Sequence, residues 1–226
     1  MTSNPLAVTA QDHVYGDPQA PVTVLEYGDF ECPYCAATAP VLRALVDGSG
    51  GGVRLVFRHW PLYDTHPYAL TAALAAEAAA DQGAYWEMHH LLFARQDRLT
   101  DADLAGYAEE LGLDPNRVVG EAAQPHGDKV EADFATGVAL EVPGTPTVFI
   151  DGQLFSGRPD LASLRRAVGA AGQGARGAAG APSDPDAGLQ PGARGKRRWL
   201  VGRRRAQREP LAQGAQHEGA DHRCGQ

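Results

Sequence analysis

The sequence predicts an α/β fold built on a strand–helix–strand unit, with a helical subdomain inserted before the sheet is completed and a disordered C-terminal tail. Three observations predict it. Val22-Thr-Val-Leu-Glu-Tyr27 and Val53-Arg-Leu-Val-Phe57 are short, nearly all apolar and rich in β-branched residues, the pattern of buried strands. Between them, from Cys32 to about Val46, apolar residues recur at helical spacing (Ala36, Ala39, Leu42, Leu45, Val46). From about His66 to Val142 the pattern is helical throughout, which is too long for a simple crossover between two strands.

The elements follow in order. Gly28 and Asp29 are expected to end the first strand. Pro40 falls inside the first helix and is expected to kink it. The glycine cluster Gly48–Gly52 reads as a turn. Two strands joined by one helix are expected to lie parallel through a right-handed crossover. The insertion, about residues 64–141, divides into helices at Ala69–Ala80, Ala84–Gln96, Asp101–Leu111 and Asp128–Leu140. Trp86, Met88, Leu92 and Phe93 are the expected buried residues of the second. Thr100 followed by Asp103 resembles a capping box at the start of the third. Thr147–Ile150 returns to strand, Asp151-Gly152 is a hairpin turn, and Gln153–Ser156 pairs back. A helix over Asp160–Val168 closes the domain. The boundaries read as an N-terminal extension over 1–11, the domain over 12–170, and a Gly/Ala/Arg-rich tail over 171–226 in which apolar periodicity is lost.

Composition narrows the function. Apolar residues make up 43%, enough for a packed core, and no apolar run approaches the roughly 20 residues of a membrane span. Met1–Ala10 shows neither the basic nor the apolar region of an export signal, so the cytoplasm is the expected compartment. The net charge of −8 is uneven. Residues 1–170 carry 10 Lys and Arg against 23 Asp and Glu; residues 171–226 carry 10 against 5. The acidic body argues against nucleic acid as the partner of the folded part. The clusters Lys196-Arg-Arg198 and Arg203-Arg-Arg205 read as a solubilising extension. Three cysteines are too few for a disulfide-stapled scaffold. One, Cys224, stands alone in the tail, where nothing requires a role for it.

The other two, Cys32 and Cys35, carry the chemistry. Thiol–disulfide exchange needs a thiolate to attack a disulfide sulfur and a second thiol near enough to resolve the mixed disulfide. Cys-x-x-Cys at the start of a helix supplies both. The helix N-terminus offers unpaired N–H groups and a partial positive charge to Cys32, and one turn brings Cys35 beneath it. Cys32 is therefore the expected attacking group and Cys35 the less exposed resolving group. Pro33 suits the first turn because its missing N–H costs nothing there. A zinc site is the alternative reading, but it needs two further ligands, and no Cys or His pair is placed to give them. Thr145-Pro146 precedes a buried strand and is a candidate cis peptide, an ordinary trans loop proline being the alternative. A turn there would present the Thr145 backbone to an extended substrate. Asp29 and Glu31 read as solvated carboxylates. His89 and His90 are adjacent and point apart on a helix, so they read as structural or surface residues, and His59 as a packing or hydrogen-bonding residue.

Tyr27-Gly-Asp-Phe-Glu-Cys-Pro-Tyr-Cys35, Phe57-Arg-His-Trp-Pro-Leu62, Trp86-Glu-Met-His89 and Gly144-Thr-Pro-Thr147, in this order, resemble the DsbA-like branch of the thioredoxin superfamily. The resemblance covers about Asp12 to Val168. It implies a thioredoxin-like fold with an inserted helical domain, and a cis Pro146 facing the cysteines. It implies catalytic roles for Cys32 and Cys35, and a substrate surface at Pro33, Tyr34, Thr145 and Pro146. Glu26 matches a buried acid that assists proton transfer at the resolving cysteine; inside an apolar strand its pKa would rise, the alternative being a strand-end carboxylate reaching water. The expected activity is exchange of disulfides with protein or small-molecule thiols, helped by a redox partner that the sequence does not identify. A monomer with no metal and no organic cofactor is expected. The alternatives are a glutathione-linked reductase or transferase on the same fold, and a redox-switched binding module. Two features depart from the family: no export signal or anchor is seen, and Pro-Tyr stands between the cysteines where strongly oxidising members have Pro-His.

Overall fold

The structure is a computed structural model that describes residues 4–179. The expectations for the basic clusters and Cys224 lie outside the described residues. Strands β1 (His13–Gly16), β2 (Val22–Gly28), β3 (Val53–His59), β4 (Thr147–Ile150) and β5 (Gln153–Leu154) form one sheet of order β1-β3-β2-β4-β5. β2 and β3 are parallel, in register from Val22 opposite Val53 to Gly28 opposite His59. All other pairs are antiparallel. Helix α1 (Pro33–Asp47) makes the crossover between the parallel strands. Helices α2 (Ala69–Ala80), α3 (Tyr85–Ala94), α4 (Asp101–Glu110) and α5 (Gly127–Ala139) form the insertion, and α6 (Leu161–Ala179) closes the chain. None of the described helices is long and apolar enough to cross a membrane.

The near-continuous apolar strands are explained by cover on both faces. Val22 and Val24 of β2, Val53 and Leu55 of β3, and Val148 and Ile150 of β4 pack with Leu42 and Leu45 of α1 and Leu164 of α6. Leu25, Tyr27, Val56 and Phe149 point the other way, into a second cluster with Trp60, Phe134 and Leu140. The third cluster joins the insertion to the end of the sheet that carries the cysteines. Phe30, Cys32, Cys35 and Phe57 pack there with the alanine face of α2, Met88, Leu92 and Phe93 of α3, and Leu104 of α4.

Several boundaries differ from expectation. β1 has no apolar run; it is a four-residue edge strand whose place is decided by pairing with β3. β2 continues through Gly28, because the Phe57 ring fills the space a side chain would take there: a Cβ on Gly28 would lie 2.3 Å from that ring. Gly28→Ala is accordingly expected to destabilise the chain by about 1–3 kcal/mol, read as a lower urea midpoint; an unchanged midpoint would mean the ring moves freely. Helix α1 runs through Pro40, which lies exposed inside it. The capping box at Thr100 is formed in both directions with Asp103. The last helix extends to Ala179, past the expected end at Val168, so residues 171–179 are helical rather than disordered; the remainder of the expected tail lies outside the described residues. Part of the expected extension is docked on the sheet. Arg58, 3% exposed, grips Asp12 through two bonds of 2.9 Å and donates to the Pro5 and Ala7 carbonyls, while Leu6 and Val8 pack beneath.

Candidate active site

Cys32 is the N-cap residue of α1, extended at φ −74° and ψ 120°, with Pro33 in the first turn. The local reason is the one in the sequence: proline presets the first turn and the cap needs no donor from it. The Cys32 sulfur therefore faces the free N–H groups of Tyr34 and Cys35. Cys35 lies one turn in and is fully buried. Cys32 is itself only 3% exposed, so the two sulfurs differ less in burial than the sequence suggests. Both are free thiols.

The pair is electrostatically polarised. The Cys32 thiol is pulled down from 9.0 to about 5. The largest cause is the Cys35 thiol donating to it; burial opposes this, and the Thr145 side chain and the Cys35 and Tyr34 N–H groups support it. In the thiol form Cys32 donates to the Thr145 carbonyl at 3.5 Å, and the buried Thr145 hydroxyl has no partner among the described residues. Once the thiol ionises, that hydroxyl is free to donate to it. Cys35 is driven well above the ordinary thiol range by burial, by its bond to Cys32 and by the charge of Glu26. The Thr145–Pro146 peptide is cis, and Pro146 lies beside the exposed Tyr34 on the rim.

Glu26 lies on the same face of β2 as Val22 and Val24, towards α1. It is fully buried, and neither carboxyl oxygen has a partner among the described residues, so it does not reach water at the strand end. Burial raises its pKa from 4.5 to about 8, with a further push from the Cys32 charge. Asp29 is a correction: it is 2% exposed rather than solvated. One oxygen accepts from the Glu31 N–H, and the other from the Leu62 N–H and His66 Nδ1 at 2.8 and 2.7 Å. It ties the loop before α1 to the loop after β3. Glu31 is only partly exposed and accepts from the Tyr68 N–H.

Other residues near the site were not legible in the sequence. Gln96, just after α3, donates to the carbonyls of Phe30 and Cys32 at 2.7 and 2.8 Å, so the insertion holds the backbone of Cys32. Glu77 of α2 accepts from His13 and His59, joining β1, β3 and the insertion in one buried cluster, and the paired histidines hold its carboxyl well below the usual range against its burial. His89 is buried among Phe30, Phe57, Trp86 and Phe93 with neither ring nitrogen bonded among the described residues, and His90 meets Arg43. No group of three His, Cys, Asp or Glu side chains arranged to hold a metal occurs among the described residues.

A helix-capping Cys-x-x-Cys beside a cis-proline loop, on a mixed sheet with helices spliced in after its second parallel strand, defines the thioredoxin-fold class of proteins. The sequence model of the family described as Thioredoxin matches residues 8–170, and the chain belongs to that family. Among solved structures it is similar to a thioredoxin-like oxidoreductase from Silicibacter pomeroyi DSS-3, with 32% identity, a TM-score of 0.62, and coverage of 73% of this chain and 94% of that one. BdbD from Bacillus subtilis shares the fold at 22% identity and a TM-score of 0.63, covering 72% of this chain and 94% of that one. Among curated proteins the chain is 50% identical over 167 residues to Na(+)/H(+) antiporter NhaA 1 of Salinispora arenicola, covering 74% of this chain. It spans about a quarter of the length of that relative, 26%, and the antiporter name belongs to the longer protein.

Proposed function

We propose that the chain is a thiol–disulfide oxidoreductase working through Cys32 and Cys35. The observation that carries this reading is the polarised pair: an outer sulfur at the helix cap with a pKa of about 5 and a buried inner thiol held protonated. The Cys32 thiolate attacks one sulfur of a substrate disulfide. A bond forms between Cys32 and that sulfur, the substrate S–S bond breaks, and the departing thiolate takes a proton from water. Cys35 then gives up its proton, with the Glu26 carboxylate as acceptor by way of an intervening water because no direct bond joins the two, and attacks Cys32. The Cys32–Cys35 bond forms and the second substrate thiol leaves, so two electrons have moved from the pair to the substrate. Run backwards, the same steps oxidise a substrate dithiol. Pro33, Tyr34, Thr145 and Pro146 surround Cys32 and form the surface on which the substrate segment lies. The proposed partners are protein or small-molecule thiols and disulfides, together with a redox partner that resets the pair.

Equilibration in buffers of reduced and oxidised glutathione, followed by alkylation and mass measurement, tests the reading. The expected result is one two-electron transition between a chain alkylated at both Cys32 and Cys35 and a chain with Cys32 joined to Cys35, Cys224 being outside the pair. A chain in which Cys32 and Cys35 both stay alkylated at every ratio would remove it. The potential at the midpoint decides between oxidase and reductase.

A further inference from the structure

A groove of about 540 Å³ lies beside the sulfur centre, lined by Tyr34, Ala37, Val41, Pro146, Arg158 and Asp160 among others. Its floor is apolar, and Pro146 and Tyr34 place it next to Cys32. Its two charged groups are in different situations. The Asp160 carboxylate is engaged at the start of α6, accepting from the Ser163 N–H at 2.9 Å and the Ser163 hydroxyl at 3.0 Å. Arg158 is exposed, and its guanidinium has no partner among the described residues. An unpaired guanidinium over an apolar floor matches a segment that brings a carboxylate together with apolar side chains, since the planar fork binds carboxylates in bidentate fashion.

We propose that Arg158 is a specificity residue that selects cysteine-containing peptide segments with an Asp or Glu near the reacting cysteine. This rests on the oxidoreductase reading and names the substrate class of the same site. The acidic body makes the selection local. The net charge of the domain repels anionic segments at long range, so any preference for them has to come from a close, unscreened contact.

The test uses the full chain and a set of disulfide-bonded peptide pairs that differ only in Asp, Asn or Lys flanking the cysteine, with glutathione disulfide as a separate substrate. The wild type is expected to favour Asp over Asn by about threefold to fivefold in kcat/KM, through KM, as an exposed ion pair allows. High salt should shrink that ratio. Arg158→Gln should bring the ratio to about one, and Arg158→Glu should invert it towards Lys. Arg166→Gln, a charge removed from the exposed side of α6, should keep it. The glutathione-buffer potential of each variant reports whether the cysteine pair is intact. Equal turnover of Asp and Asn peptides by the wild type would overturn the proposal, as would a preference surviving in Arg158→Gln or lost equally in Arg166→Gln. A loss confined to glutathione disulfide would also overturn it, by assigning Arg158 to glutathione carboxylates. A chain that exchanges disulfides without discrimination refutes only this selectivity, whereas a chain that exchanges none refutes the oxidoreductase reading itself.

Discussion

Cys32→Ser is expected to lower disulfide exchange by about 10³-fold or more, while Cys35→Ser attacks once and stalls as a mixed disulfide. The asymmetry follows from the two environments. With a pKa of about 5, Cys32 is roughly 99% thiolate at pH 7, against about 1% for a thiol at 9.0. Such an anion is both a ready nucleophile and a good leaving group. Cys35 is fully buried and held as a thiol, so it acts only after Cys32 has placed a disulfide within its reach. The Cys32 pKa is depressed on folding. Its ionisation therefore stabilises the reduced folded chain in full above pH 9, less between 9 and 5, and not at all below about 5. Two measurements check this. The alkylation rate of Cys32 should show an inflection near pH 5, and the reduced chain should lose stability relative to the oxidised chain as pH falls through the same range. An inflection near 9, or a Cys35→Ser chain that turns over without accumulating a mixed disulfide, would contradict the assignment.

Glu26→Leu is expected to stabilise the protein and slow its second step at once. The carboxyl is fully buried and has no hydrogen-bond partner among the described residues. Burial raises its pKa from 4.5 to about 8, so folding favours the protonated form. The sign is the reverse of that for Cys32. The stability associated with the neutral acid is complete below pH 4.5 and is lost as pH rises through about 8. One pKa unit is worth about 1.4 kcal/mol, so at pH 7 the buried acid costs on the order of 3 kcal/mol. Leucine, of similar size and apolar, should recover about 2–3 kcal/mol more at pH 7 than near pH 4, where only the cost of burying an unpaired neutral carboxyl remains to be relieved. Without a base, the proton of Cys35 has no acceptor in the apolar interior, and resolution of the mixed disulfide should slow by about 10²-fold. Urea midpoints at the two pH values and the decay of a preformed mixed disulfide measure both effects. A stability gain that is the same at pH 4 and pH 7 would show that packing, not ionisation, had changed.

Local features of the site could be read before any fold was known. Cys-Pro-Tyr-Cys after a β-branched run places its first cysteine at a helix cap, and β2, α1 and β3 each declare themselves by periodicity within a dozen or so residues. The insertion was legible for the same reason, because its helices carry their own spacing and the Thr100–Asp103 cap is a contact three residues apart. The bond made by Gln96 to the Cys32 carbonyl spans 64 residues, and that between Asp29 and His66 spans 37. No local pattern announces either. Asp29 looked solvated because a single carboxylate after a strand usually is, and only the return of the loop after β3 supplies the donors that allow its burial.

The sequence by itself placed Cys32 at the helix cap and Cys35 one turn in, because those positions depend on backbone groups one turn apart. The tertiary structure alone decided the rest. It fixed how deeply Glu26 and Cys35 are desolvated, that Thr145 stands over the outer sulfur, and that Arg158 lines the groove beside it. The physical reason is range: a cap is closed by its own neighbours, whereas desolvation and charge placement depend on what distant parts of the chain bring up against them.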